Sequence, residues 1–305
     1  MKGENRGFTI IEVVLFLAIS AALFVVAFRY TSNTVRVTQY NDVVKTFEAF
    51  LEQQYNRAQT GNVTSSISLD TSNRVNCQNN SSYVLTTTPV TGTVTKGYSD
   101  SCLVLGVLID LRYDAVSGLQ DATVFPVLGY AGGITSGTDE TVLNSAQPTV
   151  WGQKPIDKYV FPSGFRPSSQ SQAWLNKPAS STDTGVFEKL AFLKSPSSGT
   201  MLAYAFSNPA WDPSAAYGSP ASASNLATNI ALSNLSDYSA VRNPRGVICI
   251  TSPQSPGLQG VIKLEGNNGR GSFGIDSISS SLDTAGSAYW TDYLPTSLKY
   301  TGVQC

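Results

Sequence analysis

The chain has 305 residues, of which 41% are hydrophobic and only 13% are charged, and its formal net charge is −1. A chain of this length and hydrophobic content can bury one large core or two smaller ones. The near-zero net charge gives no general electrostatic basis for binding nucleic acid or an anionic membrane surface. The sequence contains no histidine, which excludes imidazole acid–base chemistry, histidine metal ligands and histidine-dependent triads.

The first stretch of the chain is a short polar leader that ends at Gly7 and precedes an apolar run over residues 8–28. A helix of that length measures about 31 Å, which is enough to cross the hydrocarbon core of a bilayer. Glu12 is the one acid in the run. A charge at the middle of a membrane costs about 2.5–3.5 kcal/mol on insertion scales, so we expect Glu12 to have a function and a partner.

The sequence Gly-Phe-Thr-Ile-Ile-Glu at residues 7–12 resembles the prepilin signature of type IV pilins, pseudopilins and related filament subunits. The resemblance covers roughly the first 55 residues. It implies that a membrane peptidase cleaves between Gly7 and Phe8 and that the new N-terminal residue, Phe8, is N-methylated. It also implies that Glu12 is the assembly charge. In a staggered bundle of helices, the amine of one subunit can pair with Glu12 of a neighbour, which cancels two poorly solvated charges.

A secretory signal peptide, or a plain membrane anchor with a tolerated acid, is the alternative interpretation of this stretch. A signal peptide has a shorter apolar core and a small-residue cleavage site at its far end. The small residues at 20–22 resemble such a site, but the apolar sequence continues to Phe28.

Helix packing is predicted along the same apolar run. Ala18 and Ala22 are small residues that would let helices approach closely, and Ile10 and Ile11 belong to the predicted helix–helix core. A generic anchor that contains a few alanines is an equally good interpretation of the two alanines. Many major pilins carry a proline partway along this helix, whereas residues 8–61 contain none, so we expect a continuous helix.

Residues 29–61 change to an amphipathic pattern, which predicts that the same helix continues. Apolar side chains recur mostly at steps of three and four: Tyr40, Val43, Val44, Phe47, Leu51, Tyr55 and Ala58. The charged residues between them predict a solvated face: Asp42, Lys45, Glu48, Glu52 and Arg57. Gly61 is a stop signal. A sheet from the rest of the chain is the simplest cover for the apolar stripe, and a coiled-coil stalk is the alternative.

The remaining sequence predicts strands and loops. Seven apolar runs bounded by turn residues are predicted strands: 83–87, 102–111, 122–128, 186–193, 201–206, 246–251 and 260–265. The predicted fold class is α+β, with a long N-terminal helix packed on a β-rich C-terminal head, as in pilins. The predicted parts are a leader (1–7), a transmembrane half-helix (8–28), an amphipathic half-helix (29–61) and an extracellular head (62–305). A split of the head near residues 165–185 is the alternative.

Four cysteines lie in the predicted extracellular part: Cys77, Cys102, Cys249 and Cys305. An even number of widely spaced cysteines outside the cell favours disulfides, and four cysteines allow three pairings. We favour Cys77–Cys102 and Cys249–Cys305, each of which would stabilise the head by about 3–4 kcal/mol in the loop-entropy model. A zinc site is the competing interpretation, but the sequence has no C-x-x-C pair.

Two further patterns are predicted to have no ligand. Residues 269–274 match G-x-G-x-x-G, but no helical pattern follows them, so we predict a glycine loop between strands instead of a dinucleotide site. Asp110, Asp114, Asp139 and Glu140 lack the spacing of a calcium loop and are predicted to be solvated. No cofactor and no metal are predicted.

The sequence therefore predicts a structural filament subunit and not an enzyme, and the large head favours a minor pilin or pseudopilin. The implied partners are other pilin subunits, a prepilin peptidase, an assembly platform with its motor ATPase, and the membrane. The implied localisation is a single-pass protein of the inner or cytoplasmic membrane, then a cell-surface filament. The alternative is a membrane-anchored extracellular adhesin or binding module that does not polymerise. A tethered enzyme would have only Ser, Asp, Glu and Lys chemistry and shows no recognisable motif.

Overall fold

The computed structural model describes residues 9–61, 73–77, 85–89, 102–111, 121–150, 155–162, 164–167, 173–174, 189–206, 241–242, 245–252, 258–266 and 273–281. Several predictions fall outside these residues and stay predictions. They concern the cleavage site at Gly7 and Phe8, the solvation of Asp114, the glycines at 269 and 271, and the last residue, Cys305.

One helix dominates the N-terminal part of the chain. Helix α1 (Ile10–Thr60) runs for 51 residues without interruption, which corresponds to about 76 Å. It begins where Thr9 takes an extended conformation and caps the first turn. It ends at Gly61, whose φ of 70° is the left-handed conformation that glycine adopts without a Cβ penalty. The continuous helix agrees with the absence of proline from this segment.

The rest of the described chain is mainly antiparallel sheet with one short helix, α2 (Asp139–Ser145). The strands are β1 (Asn73–Cys77), β2 (Leu85–Pro89), β3 (Cys102–Asp110), β4 (Asp121–Tyr130), β5 (Thr149–Val150), β6 (Asp157–Val160), β7 (Arg166–Pro167), β8 (Ala173–Trp174), β9 (Lys189–Lys194), β10 (Met201–Phe206), β11 (Val241–Arg242), β12 (Arg245–Thr251), β13 (Leu258–Gly266) and β14 (Phe273–Ser281). Each of the seven predicted strands overlaps one of these. The α+β layout is therefore confirmed.

The described strands form three sheets. A seven-stranded sheet has the order β11-β10-β9-β3-β4-β5, with β6 also paired to β4. A five-stranded sheet has the order β14-β13-β12-β7, with β8 also paired to β12, and β1 pairs with β2. All described pairs are antiparallel. The glycine-rich segment lies between β13 and β14, which pair with each other. A strand and not a helix begins at Phe273, as the predicted loop between strands requires.

Two apolar clusters contain most of the buried hydrophobic side chains of the described residues. The first lies between α1 and both large sheets and includes Phe47 of α1, Phe192 of β9 and Ile262 of β13. The second lies on the opposite face of the seven-stranded sheet and includes Leu193 of β9 and Leu143 of α2. Neighbouring residues of β9 thus point into different clusters. Burial on both faces explains why the strands of this sheet are continuous apolar runs in the sequence.

Three of the acids that were predicted to be solvated are at least half-buried. Asp110 is only 7% exposed, and its partner position on β9 is Lys189, which is fully buried. The cause is the cover on both faces of the seven-stranded sheet. Asp139 and Glu140 are half-buried in the first turn of α2, a helix that the sequence analysis did not predict.

Candidate functional site

The C-terminal part of α1, residues 40–58, is the docked half of the helix. Tyr40, Val44, Phe47 and Leu51 are fully buried in the first cluster. The helix packs there against β3 and β9 of one sheet and against β13 and β14 of the other. The apolar stripe that the sequence predicts is therefore covered by sheet, and the coiled-coil stalk is not needed to explain it.

Aromatic rings fill the centre of this contact. The ring of Phe47 lies 4.8 Å from that of Phe161 and 5.1 Å from that of Tyr159, measured between centroids. Phe50 adds a contact of 5.3 Å to Tyr159. Tilted and edge-on arrangements at these distances are favourable beyond the burial of area. They hold α1 against β6 and the chain that follows it.

Polar contacts fix the two ends of the docked half. The Tyr40 hydroxyl donates to the backbone oxygen of Ile250 at 2.6 Å inside the core. At the other end, Arg57 forms an ion pair with Asp157 of β6, and Gln54, which is fully buried, donates to the same carboxylate at 3.0 Å. Because directional bonds at both ends accompany the apolar packing, the helix has one register on the sheets.

Two residues of the predicted solvated face are instead part of the contact. Arg57 pairs with Asp157, as described, and is half-buried. Glu48 accepts hydrogen bonds from Ser277 of β14 at 2.6 Å and from Lys45 at 2.9 Å. Both residues have long side chains, which reach from the side of the helix to the sheets. For these two residues the predicted exposure to solvent was therefore wrong. Asp42, Lys45 and Glu52 are exposed, as expected.

Burial changes the titration of the contact residues. Desolvation raises the pKa of the Tyr40 hydroxyl far above its ordinary value of 10.0. It also raises the pKa of Tyr159, against an opposing hydrogen bond with Thr46. Burial acts to raise the pKa of Glu48 as well, but the hydrogen bonds from Ser277 and Lys45 outweigh it and hold that pKa below its ordinary value of 4.5.

The N-terminal part of α1, residues 10–28, is the apolar half of the helix, and its side chains are exposed. Every side chain in it except that of Ser20 is exposed. Ile10 is 83% exposed and Phe24 is 72% exposed. By length and composition alone, α1 is long and apolar enough to cross a membrane. Contiguous exposed apolar surface of this extent is typical of a protein or membrane interaction site.

The predicted helix-packing residues all lie on this exposed surface of the apolar half. Ile11, Ala18 and Ala22 are at i, i+7 and i+11, so they share one side of α1 at about 100° of rotation per residue. Ile10 lies about 100° away from Ile11 around the axis. The helix therefore brings three of the four together on one face.

A polar neck, residues 29–39, separates the apolar half from the docked half. No described side chain of the neck is buried. Thr31, Thr34 and Thr38 each donate their hydroxyl to the carbonyl four residues earlier, at 2.9–3.0 Å. The neck thus satisfies part of its polar groups internally and extends the helix by about 16 Å between the two halves.

Glu12 belongs to a capping box at the start of α1. Its Oε2 accepts hydrogen bonds from the backbone N–H and the hydroxyl of Thr9, both at 3.0 Å. In return, the Thr9 hydroxyl oxygen accepts from the N–H of Glu12 at 3.3 Å. This role of Thr9 was not predicted from the sequence. The signal was present, since Thr at residue 9 and Glu at residue 12 have the S/T-x-x-E spacing of a capping box.

The cysteines are only partly described. Cys102 is disulfide-bonded, and no cysteine of the described residues is free. The structure describes the backbone of Cys77 and Cys249 but not their side chains, and Cys305 is not among the described residues. Both predicted pairings therefore stay predictions. Among the described residues, no three Cys, Asp or Glu side chains come together as metal ligands would.

Comparison with known proteins found no match. No family model, no curated protein and no solved structure matches this chain. The resemblance to the prepilin signature therefore stays an expectation from residues 7–12.

Proposed function

We propose that the chain is a structural subunit of a type IV pilus-like surface filament, with a minor pilin or pseudopilin favoured over the main subunit. It would be inserted in the membrane by residues 8–28, cleaved after Gly7 by a prepilin peptidase and assembled through the apolar half of α1. Its partners would be other pilin subunits, the assembly platform and the motor ATPase. Its role is assembly and not catalysis.

The observation that supports this proposal best is that one continuous helix has a buried half and an exposed apolar half. The docked half is buried against two sheets, whereas the apolar half carries large exposed side chains such as Ile11, Phe16 and Phe24. A subunit that passes from a bilayer into a filament needs an apolar surface that either lipid or neighbouring helices can cover. The bare half of α1 meets this need, and the head has its own core.

Glu12 is the residue that separates a filament subunit from a plain anchor. In a bundle of such helices, its carboxylate would accept the positive amine of Phe8 from a neighbouring subunit. A charge pair in an apolar bundle is costly to break, and it fixes the stagger between subunits. A plain anchor would use the acid only to cap its own helix.

The first experiment is an intact-mass and N-terminal analysis of the protein from membranes and from sheared surface material. The proposal expects a mature chain that begins at Phe8, with the additional mass of one methyl group. A chain that still begins at Met1, or one cut near Ala22, would overturn it. The protein would then be an anchored or secreted binding module.

The second experiment replaces Glu12 by valine in cells that carry the assembly machinery. We expect the Glu12→Val protein to accumulate in membranes and to be depleted from sheared filaments. Glu52→Val is the matched control, because Glu52 is also a helical glutamate of α1 and is exposed on the docked half. Equal amounts of both variants in the filaments would contradict the assigned role of Glu12.

A further inference from the structure

The two oxygens of the Glu12 carboxylate have different surroundings. Oε2 accepts from both the backbone N–H and the hydroxyl of Thr9. Among the described residues, Oε1 accepts no hydrogen bond from any donor. Thr9 therefore occupies one oxygen and leaves the other available, and it does so from the residue directly before the helix begins.

We propose that Thr9 is a positioning residue for assembly: it holds one oxygen of Glu12 on the first turn of the subunit's own helix, so that the other oxygen can accept the amine of a neighbouring subunit. This inference rests on the proposed filament function and assigns a second residue to the same site. Thr9 does not itself contact the amine. It acts through the orientation of Glu12.

The physical reason is pre-organisation in an apolar environment. A glutamate side chain has three rotatable bonds, and fixing them at the moment of association lowers affinity. The hydroxyl of Thr9, together with the backbone N–H, holds the carboxylate beforehand by donating to Oε2. It also accepts the N–H of Glu12, which would otherwise be an unsatisfied donor at the helix start with no water to pair with it.

Four single variants of the full chain test the role of Thr9. Thr9→Val keeps the shape and the backbone N–H but removes the hydroxyl. Thr9→Ser keeps the hydroxyl. Thr9→Gly removes the hydroxyl at little cost to the helix start, because glycine is about as good as threonine at this capping position. Thr31→Val is the matched control, since the Thr31 hydroxyl also bonds within α1 but lies away from Glu12.

The measured quantity is the ratio of each variant to co-expressed wild type in sheared filaments, divided by the same ratio in membranes. We expect this quotient to fall about fivefold for Thr9→Val and for Thr9→Gly, the population factor of about one net hydrogen bond. For Thr9→Ser and Thr31→Val it should stay within about twofold of one.

Each other outcome overturns the inference. If only Thr9→Val is depleted and Thr9→Gly is not, Thr9 caps the helix and does not position Glu12. If all four variants enter filaments like wild type while Glu12→Val does not, the filament function stands and the role of Thr9 fails alone. If wild type itself is absent from filaments, the proposed function fails and this inference fails with it.

Discussion

Gly260 of β13 lies directly beneath Val44 of α1, so close that a Cβ on Gly260 would stand 2.5 Å from Val44 Cγ2. The same Cβ would stand 2.7 Å from the hydroxyl oxygen of Tyr40. Cβ atoms in proteins essentially never come this close to another heavy atom. The missing side chain is thus what lets the helix rest on the backbone of the five-stranded sheet.

Replacing Gly260 by valine should separate α1 from β13. We expect the free energy of unfolding to fall by about 1–3 kcal/mol, the usual cost of overpacking a core. Thermal unfolding of the full chain in detergent, followed by near-ultraviolet circular dichroism, measures the effect. Thr38→Val on the exposed neck is the control and should unfold like wild type. A Gly260→Val protein that also unfolds like wild type would show that α1 does not rest on this residue.

A second glycine is predicted to be equally intolerant, for a different reason. Gly106 lies in the irregularity of register between β3 and β4, with a φ of 155°. A Cβ there would overlap the backbone oxygen of Phe192 on β9. Gly106→Ala should therefore lower the free energy of unfolding by about 1–3 kcal/mol through displaced backbone. Ser136→Ala, on an exposed bend, is the comparison, and urea unfolding is the measurement. Equal midpoints for the two variants would contradict the bulge geometry.

The buried hydroxyl of Tyr40 should make the fold sensitive to alkali. Because burial raises its pKa in the folded state, the unfolded chain releases the proton more readily. The stability that depends on the neutral hydroxyl is complete below about pH 10 and decreases as the pH rises above that value. For one such group, the loss is about 1.4 kcal/mol per pH unit until the folded pKa is reached.

Tyr40→Phe separates this effect from the other tyrosines. At pH 7 the variant should be less stable by about 1 kcal/mol, because the carbonyl of Ile250 loses its donor. Between pH 10 and 11 its stability should decrease less steeply than that of wild type, with the remaining slope due in part to Tyr159. The midpoints of urea unfolding of the variant and of wild type, measured at pH 7, 10 and 11, test this expectation. Parallel curves for variant and wild type would mean that Tyr40 does not titrate with unfolding.

The contact between Glu48 and Ser277 should stabilise the fold more at neutral pH than in acid. The pKa of Glu48 is lowered in the folded state, so its contribution to stability is present above about pH 4.5 and is lost as the pH falls through the folded pKa. Ser277→Ala should cost about 0.5–1.5 kcal/mol at pH 7, and less at pH 3. Melting temperatures of variant and wild type at both pH values test this. A difference that is the same at pH 3 and pH 7 would contradict it.

The course of α1 was predictable because its two patterns are local. Apolar residues at steps of three and four need only the neighbouring turns, and so does the stop at Gly61. The burial of Gln54 was not predictable from these patterns. Its partner, Asp157, lies about a hundred positions further along the chain. The same limit applies to Tyr40 and Ile250, whose contact depends on how two distant segments meet.

The loop at residues 269–274 was predicted to lie between strands, but the bounds of β14 were not predicted, because its sequence is rich in serine. A buried strand is expected to be apolar, yet Ser277 lies under α1 with only 8% of its surface exposed. Its hydroxyl is satisfied by Glu48, so burial carries no unpaired polar group. The two-residue strands β5 and β7 were missed for another reason. They owe their conformation to pairing with β4 and β12 and have little pattern of their own.

The unbroken course of α1 has a mechanical consequence. A pull along the apolar half would reach the head through helix alone, with no loop between them to stretch. The docked half runs along the sheets for about 28 Å, so its contacts would be loaded side by side in shear and not peeled one after another. The bonds of Tyr40, Glu48 and Arg57 to Ile250, Ser277 and Asp157 would then have to fail together before the head could come away from its helix.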